Sequence, residues 1–128
     1  MIHRNPTHCG DETCPASVEC GGLIFLAHHA GGFERADYGH QARATLSAMG
    51  ATLAKSGAGL RDMAQINLYL KNLEGFDAAR EAIREAFGGE CPARMTLTSE
   101  FLNPECLLMM DGVAAKPGAR EGGATACG

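Results

Sequence analysis

Tryptophan is absent from this 128-residue sequence, and two tyrosines and five phenylalanines are its other aromatics. Its 11 lysines and arginines form no cluster, and the formal net charge is −4. A chain with so few rings to stack bases, and no basic run to track a phosphate backbone, is not expected to bind nucleic acid. No stretch approaches ~18 consecutive apolar residues, so no membrane-spanning helix is expected. The N-terminal segment MIHRNPTHCGDETC has no apolar run behind a basic end. No signal peptide is expected, and the cytoplasm is the expected compartment. The six cysteines include no Cys-x-x-Cys pair of the kind that builds a zinc knuckle or a redox centre. In a reducing compartment they read as free thiols.

Apolar residues make up 45% of the chain and charged residues 20%. These are values for one globular domain, long enough to bury a core without staples. Gly21-Gly22 is a two-residue turn signal ahead of the apolar strand Leu23 to Ala27, together a hairpin. Ala42, Leu46, Met49 and Leu53 lie on one face of a helix, with Asp37 as its N-cap and Gly57 as its stop. Gln65, Asn67, Tyr69 and Lys71 alternate with Ile66, Leu68 and Leu70, the period of a half-buried strand. Phe76, Ala79, Ile83 and Ala86/Phe87 mark the inward face of a second helix that Gly88-Gly89 ends. A strand then runs from Met95 to Ser99 with Arg94 at its mouth, and CLLMMDGVAA forms a last, mostly apolar strand. The segment 116–128, rich in Gly and Ala, is expected to be a disordered tail beyond a single domain over 1–115.

The order β-β-α-β-α-β-β describes an α+β domain whose two helices cover one face of the sheet. The other face still carries apolar residues, which a homo-oligomer would bury. His8, Cys9, Cys14, His28 and His29 fall within the first 30 residues. They could converge on a metal, but dispersed side chains are the plainer reading, and neither metal nor cofactor is expected. Arg94, at the mouth of its strand, is either a solvated edge residue or the anchor of a carboxylate, which its planar fork of donors matches bidentately.

Several stretches decide the comparison: GGLIFLA, QARATLSAMGATLAKSGAGLRDM, INLYLKNLEGFDAAREAIREAFGG, CPAR and MMDGVAA. Together, over about Gly21 to Ala115, they resemble the RidA family, the small reactive-intermediate (imine/enamine) deaminases formerly described as L-PSP endoribonucleases. The resemblance implies a six-stranded mixed sheet with two helices on one face, the chorismate-mutase-like fold. It also implies a homotrimer whose sheets form a central barrel, with a ligand cleft at each subunit interface. The Arg of Pro-Ala-Arg holds the substrate carboxylate in that family, which puts the role on Arg94. The implied reaction is hydrolysis of 2-iminobutanoate or 2-iminopropanoate to the 2-oxo acid and ammonia.

Other family positions depart. Ala27 stands where archetypal members have Ser, Thr96 at their Cys, and Arg80 at an Asn on the second helix. Met109 falls where a Glu positions the hydrolytic water, and a thioether cannot take a proton. Asp111 lies two residues on, on the same strand face, and a two-residue slip would bring it into the acid's place. Cys14 aligns with a pocket Tyr, either as a thiol activated by Arg94 or as an inert loop residue. His28 stands at a Gly that contacts ligand, and either His28 or His29 could act as acid or base. These departures leave a second reading, a module that binds a small carboxylate without turning it over. A ribonuclease is a remote third.

Overall fold

The structure, a computed structural model, describes residues 1–118. Among them the chain forms β1 (His3–Arg4), β2 (Ser17–Cys20), β3 (Leu23–His29), α1 (Tyr38–Ala54), β4 (Met63–Leu70), α2 (Phe76–Phe87), β5 (Ala93–Thr98) and β6 (Leu108–Ala115). The six strands make one mixed sheet in the order β1-β2-β3-β6-β4-β5. All neighbours are antiparallel except β4 and β5, which run parallel and are joined through α2.

Local chemistry sets most of these boundaries. Gly21 and Gly22 both take positive φ, which lets Cys20 pair directly with Leu23 across a tight turn. The Asp37 side chain accepts the His40 backbone N–H and caps α1. That helix ends at Ala54, three residues ahead of Gly57, whose φ of +75° completes the turn away from it. Gly88, in the left-handed conformation, closes α2. On the inward face of α2 the alternation differs in one place from the expected stripe. Ala82 is buried beside Ile83, while Ala86 faces solvent.

Two features go beyond the strands expected. His3 and Arg4 pair with Glu19 and Val18 to add an edge strand, too short to carry any periodic signal. β3 continues past Ala27 to His29 through a bulge: Leu26 pairs with Gly112 and His29 with Met110, so the strand carries one extra residue. The extra residue turns His29 inward, where it is buried beneath α1.

Ile24, Leu26, Ile66, Leu68, Leu70, Leu108, Met110 and Ala114 face the two helices and form the core with Met49, Leu53 and Ile83. The other side of the sheet has no cover in the single chain. Phe25 there is 42% exposed, Met95 58% and Leu97 42%. One buried polar side chain ties the layers together. Gln41 on α1 donates to the carbonyls of Arg35 and Glu105 at 2.9 and 3.0 Å and accepts the Leu107 N–H at 2.9 Å. It thereby fixes where the loop around Pro104 delivers β6. Lys116, in the segment expected as tail, is held by its N–H to the Gly22 carbonyl and by its ammonium to Glu19. The rest of that segment, 119–128 with Cys127, lies outside the described residues.

Candidate functional site

The side chains marked by the sequence gather in two places, one on each side of the sheet. Strand alternation sends Arg94 and Thr96 to the helix side of β5, because their partners on β4 are the core residues Ile66 and Leu68. β5 is an edge strand, so Arg94 stays exposed at the rim of α2. Its Nε donates to Thr96 Oγ1 at 3.0 Å, and its Cζ lies 5.4 Å from the centre of the Phe76 ring. These contacts hold the guanidinium at the edge nitrogen and over one face, leaving the two terminal nitrogens as a fork. Among the described residues no carboxylate lies within ion-pair distance of it. Arg80, one turn into α2, brings its Cζ to 5.2 Å from the same ring. Its Nη2 reaches Asp77 Oδ1 at 3.3 Å, a contact between exposed groups.

On the opposite side, the β3 bulge and the start of β6 border a cleft of about 390 Å³. His8, Cys9, His28, Ala30, Phe33 and Met109 are among its walls. The N-terminal segment reaches it because His8 Nε2 donates to the His28 carbonyl at 2.6 Å and the His8 ring stacks on His29 at 4.2 Å. A carbonyl can only accept, so Nε2 of His8 carries the hydrogen. In the neutral ring Nδ1 is then the basic nitrogen, and it has no hydrogen bond among the described residues. Ala27 sits in the bulge beside this cleft, its N–H already given to the Ala16 carbonyl at 3.0 Å.

Met109, not Asp111, lines the cleft. Asp111 shares the strand face but is tied across the sheet: Asn67 Nδ2 donates to one oxygen at 2.7 Å, and the Tyr69 hydroxyl to the other at 2.9 Å. β6 is in register against β4 from Leu108 to Val113, which places both Asp111 partners directly across from it or two residues away. Burial first, then the Asp111 bond, pushes the Tyr69 phenol up.

The remaining candidates are redistributed. His29 is a core residue. Its Nδ1 gives a 2.7 Å bond to the Ala27 carbonyl, so Nε2 accepts from Thr52 Oγ1 at 2.8 Å. Burial, with the nearby His8 and His28 charges adding to it, holds its pKa down at about 4, against the bond to Ala27. It is neutral and enclosed, and thus unsuited to proton transfer with a ligand. Burial, with the nearby Cys9 and Asp11 charges adding to it, pushes the Cys14 thiol up. Cys9 is exposed at the cleft, and the Thr7 hydroxyl bond lowers its pKa. The five cysteines among the described residues are all free. No group of three or more His, Cys, Asp or Glu among them is placed to hold a metal ion. His8 and Cys9 were visible in the sequence only as possible metal ligands. Their link to the cleft depends on β1 and the bulge, neither of which leaves a pattern.

Residues 16–116 match the sequence model of the family described as endoribonuclease L-PSP. The chain belongs to this family, the RidA/YjgF family. Among its RidA relatives, a RutC family protein of Pyrococcus abyssi is 28% identical over 106 residues, covering 78% of this chain and 84% of the relative. The mitochondrial protein mmf2 of Schizosaccharomyces pombe is 28% identical over 102 residues, covering 77% and 80%. Among solved structures, a YjgF family member from Streptococcus pyogenes aligns with a TM-score of 0.80 at 25% identity, covering 89% of this chain and 95% of that one. A YjgF/YER057c/UK114 family member from Mycobacterium tuberculosis aligns with a TM-score of 0.80 at 21% identity, covering 90% and 99%. The mixed six-stranded sheet with two helices is thus the RidA-family fold. No helix among the described residues is long and apolar enough to cross a membrane.

Proposed function

We propose that this RidA-family protein binds a small 2-imino carboxylate and hydrolyses it to the 2-oxo acid and ammonia. The observation that carries the proposal is the Arg94 fork. A guanidinium steadied by Thr96 and Phe76, with no carboxylate of its own among the described residues, is prepared for a ligand carboxylate.

The fork and the Met109 cleft lie on opposite sides of one sheet, with β4 between β5 and β6. No single chain closes them around a small molecule. The uncovered apolar residues Phe25, Met95 and Leu97 supply the reason for a second chain. We assign the site to the junction between copies, three forming the ring that the family resemblance implies. One copy contributes the fork and its neighbour contributes the cleft.

In the joined site a water oxygen bonds to the imine carbon, and the electron pair of the C=N bond moves to nitrogen, which takes a proton. His8, whose Nδ1 has no hydrogen bond among the described residues, takes one proton of the water and returns it to that nitrogen, giving the carbinolamine. Collapse of the carbinolamine passes the hydroxyl proton to the amino nitrogen, forms the C=O bond, breaks the C–N bond and releases ammonia. Holding carboxylate and water in place supplies part of the acceleration, because it turns a two-body encounter into a positioned one.

Met109 favours a second reading. A thioether at the cleft cannot hold or move a proton, as a module that binds a carboxylate without turning it over would allow. One experiment separates the two. 2-Iminobutanoate is generated in situ by an amino-acid oxidase, and the imine that survives is trapped with semicarbazide. Wild type is expected to deplete the imine, and Arg94→Ala to match the no-protein control. Wild type equal to that control, but still binding 2-oxobutanoate, leaves the binding module.

A further inference from the structure

Arg94 is not the only cation on its aromatic support. Arg80 and Arg94 come from different elements, α2 and β5, yet each places its guanidinium carbon within 5.4 Å of the centre of the Phe76 ring. Twice that distance bounds their separation. Two exposed like charges within that bound repel each other, weakly at its far end, and an anion between them would relieve it. Asp77 offsets this only slightly, through one 3.3 Å contact between side chains that are 48% and 89% exposed. Arg84 on the next turn is instead engaged by Glu81, so the cation pair at Phe76 is a local feature of the rim and not a general basic face.

A monocarboxylate fills one fork. The second fork is then left without a matching charge on the ligand, which a dicarboxylate would supply. We propose that Arg80 is a specificity-determining residue that holds a second acidic group of the ligand. The preferred substrates are then imines derived from acidic amino acids, 2-imino dicarboxylates. The inference rests on the proposed reading of Arg94 as the carboxylate anchor. It adds that the anchor is doubled.

The test uses two stable product-like acids that differ only at the far end, 2-oxoglutarate and 2-oxopentanoate, measured by calorimetry on the full-length chain. Wild type is expected to bind the dicarboxylate about tenfold tighter, the scale of one additional charge-assisted pair. Arg80→Asn should remove that preference, bringing the affinities for the two acids within about twofold of each other. Asp77→Asn, which frees the Arg80 fork, should tighten 2-oxoglutarate alone.

Equal affinity of wild type for the two acids overturns the role of Arg80 and leaves the anchor standing, as does a preference that survives Arg80→Asn. If Arg94→Ala binds both acids as wild type does, or wild type binds neither, the anchor itself falls, and the inference with it. Circular dichroism of each variant separates loss of a contact from loss of the fold.

Discussion

His29 shows how one residue can look functional in a sequence and be structural in the fold. It follows an apolar strand and sits beside another histidine, as a catalytic imidazole would. One extra residue in β3 rotates it into the core, where it links Ala27 to Thr52. Its burial has a measurable signature. In the unfolded chain the ring takes a proton near pH 6.5, whereas in the folded chain it does so only near 4. Between those values the unfolded state holds more protons, so stability falls as pH drops from 6.5 to 4. Thermal melting should show this fall, with a flatter profile for His29→Gln. The same slope in both would mean that His29 is not the group responsible. Glu19 acts in a lower window. Bonds from Lys116, Asn5 and Ser56 hold its pKa at about 2, so the stability it contributes is present above about 4.5 and is lost as pH falls towards 2.

Elements with a strong local signature were legible in the sequence: the hairpin from its two glycines, α1 from its Asp37 cap, β4 from its strict alternation, and α2 from its stripe and Gly88. What escaped has no local signature. β1 has two residues, and two residues have no period. The bulge at Ala27–His28 is set by what β6 offers across the sheet, and the position of His8 follows from both. The exchange of Ala86 for Ala82 reflects the near-equivalence of three- and four-residue steps on a helix face. Arg94 was singled out as a candidate anchor through the family resemblance, whereas the convergence of Arg80 and Arg94 on Phe76 needs the packing of α2 against β5.

The loop before β6 carries no periodic pattern, and Gln41 explains how it is nevertheless defined. Three backbone groups, from Arg35, Glu105 and Leu107, meet one buried amide. Gln41→Leu keeps the side chain's bulk but strands all three. The expected loss is about 2–4 kcal/mol in urea unfolding, since unsatisfied buried polar groups cost about 1–3 kcal/mol each and partial relaxation recovers some of it. A loss below 0.5 kcal/mol would show that the loop finds other partners.

At the scale of the whole molecule, the sheet is finished on one side and bare on the other. Each large apolar side chain moved from water into an interface contributes about 1.5–3 kcal/mol, and Phe25, Met95 and Leu97 are all placed to do so. The bare face calls for an oligomer, and the ring of three proposed from the family resemblance predicts a sedimentation mass three times the 13.4 kDa of the chain for wild type. Leu97→Asp should give a folded single chain that neither binds 2-oxobutanoate nor depletes imine. A variant that stays trimeric, or a lone chain that keeps full activity, would remove the shared site.

A fork on one side of the sheet and a cleft on the other also has a genetic meaning. Suppose one allele lacks Arg94 and another lacks a working cleft. If three copies form the proposed ring, each allele alone makes a ring with no complete site. Rings assembled from both contain one junction in which an intact fork meets an intact cleft. Two inactive alleles expressed in the same cell would then complement each other, while each mutant copy beside wild type would spoil only one of the two junctions it enters.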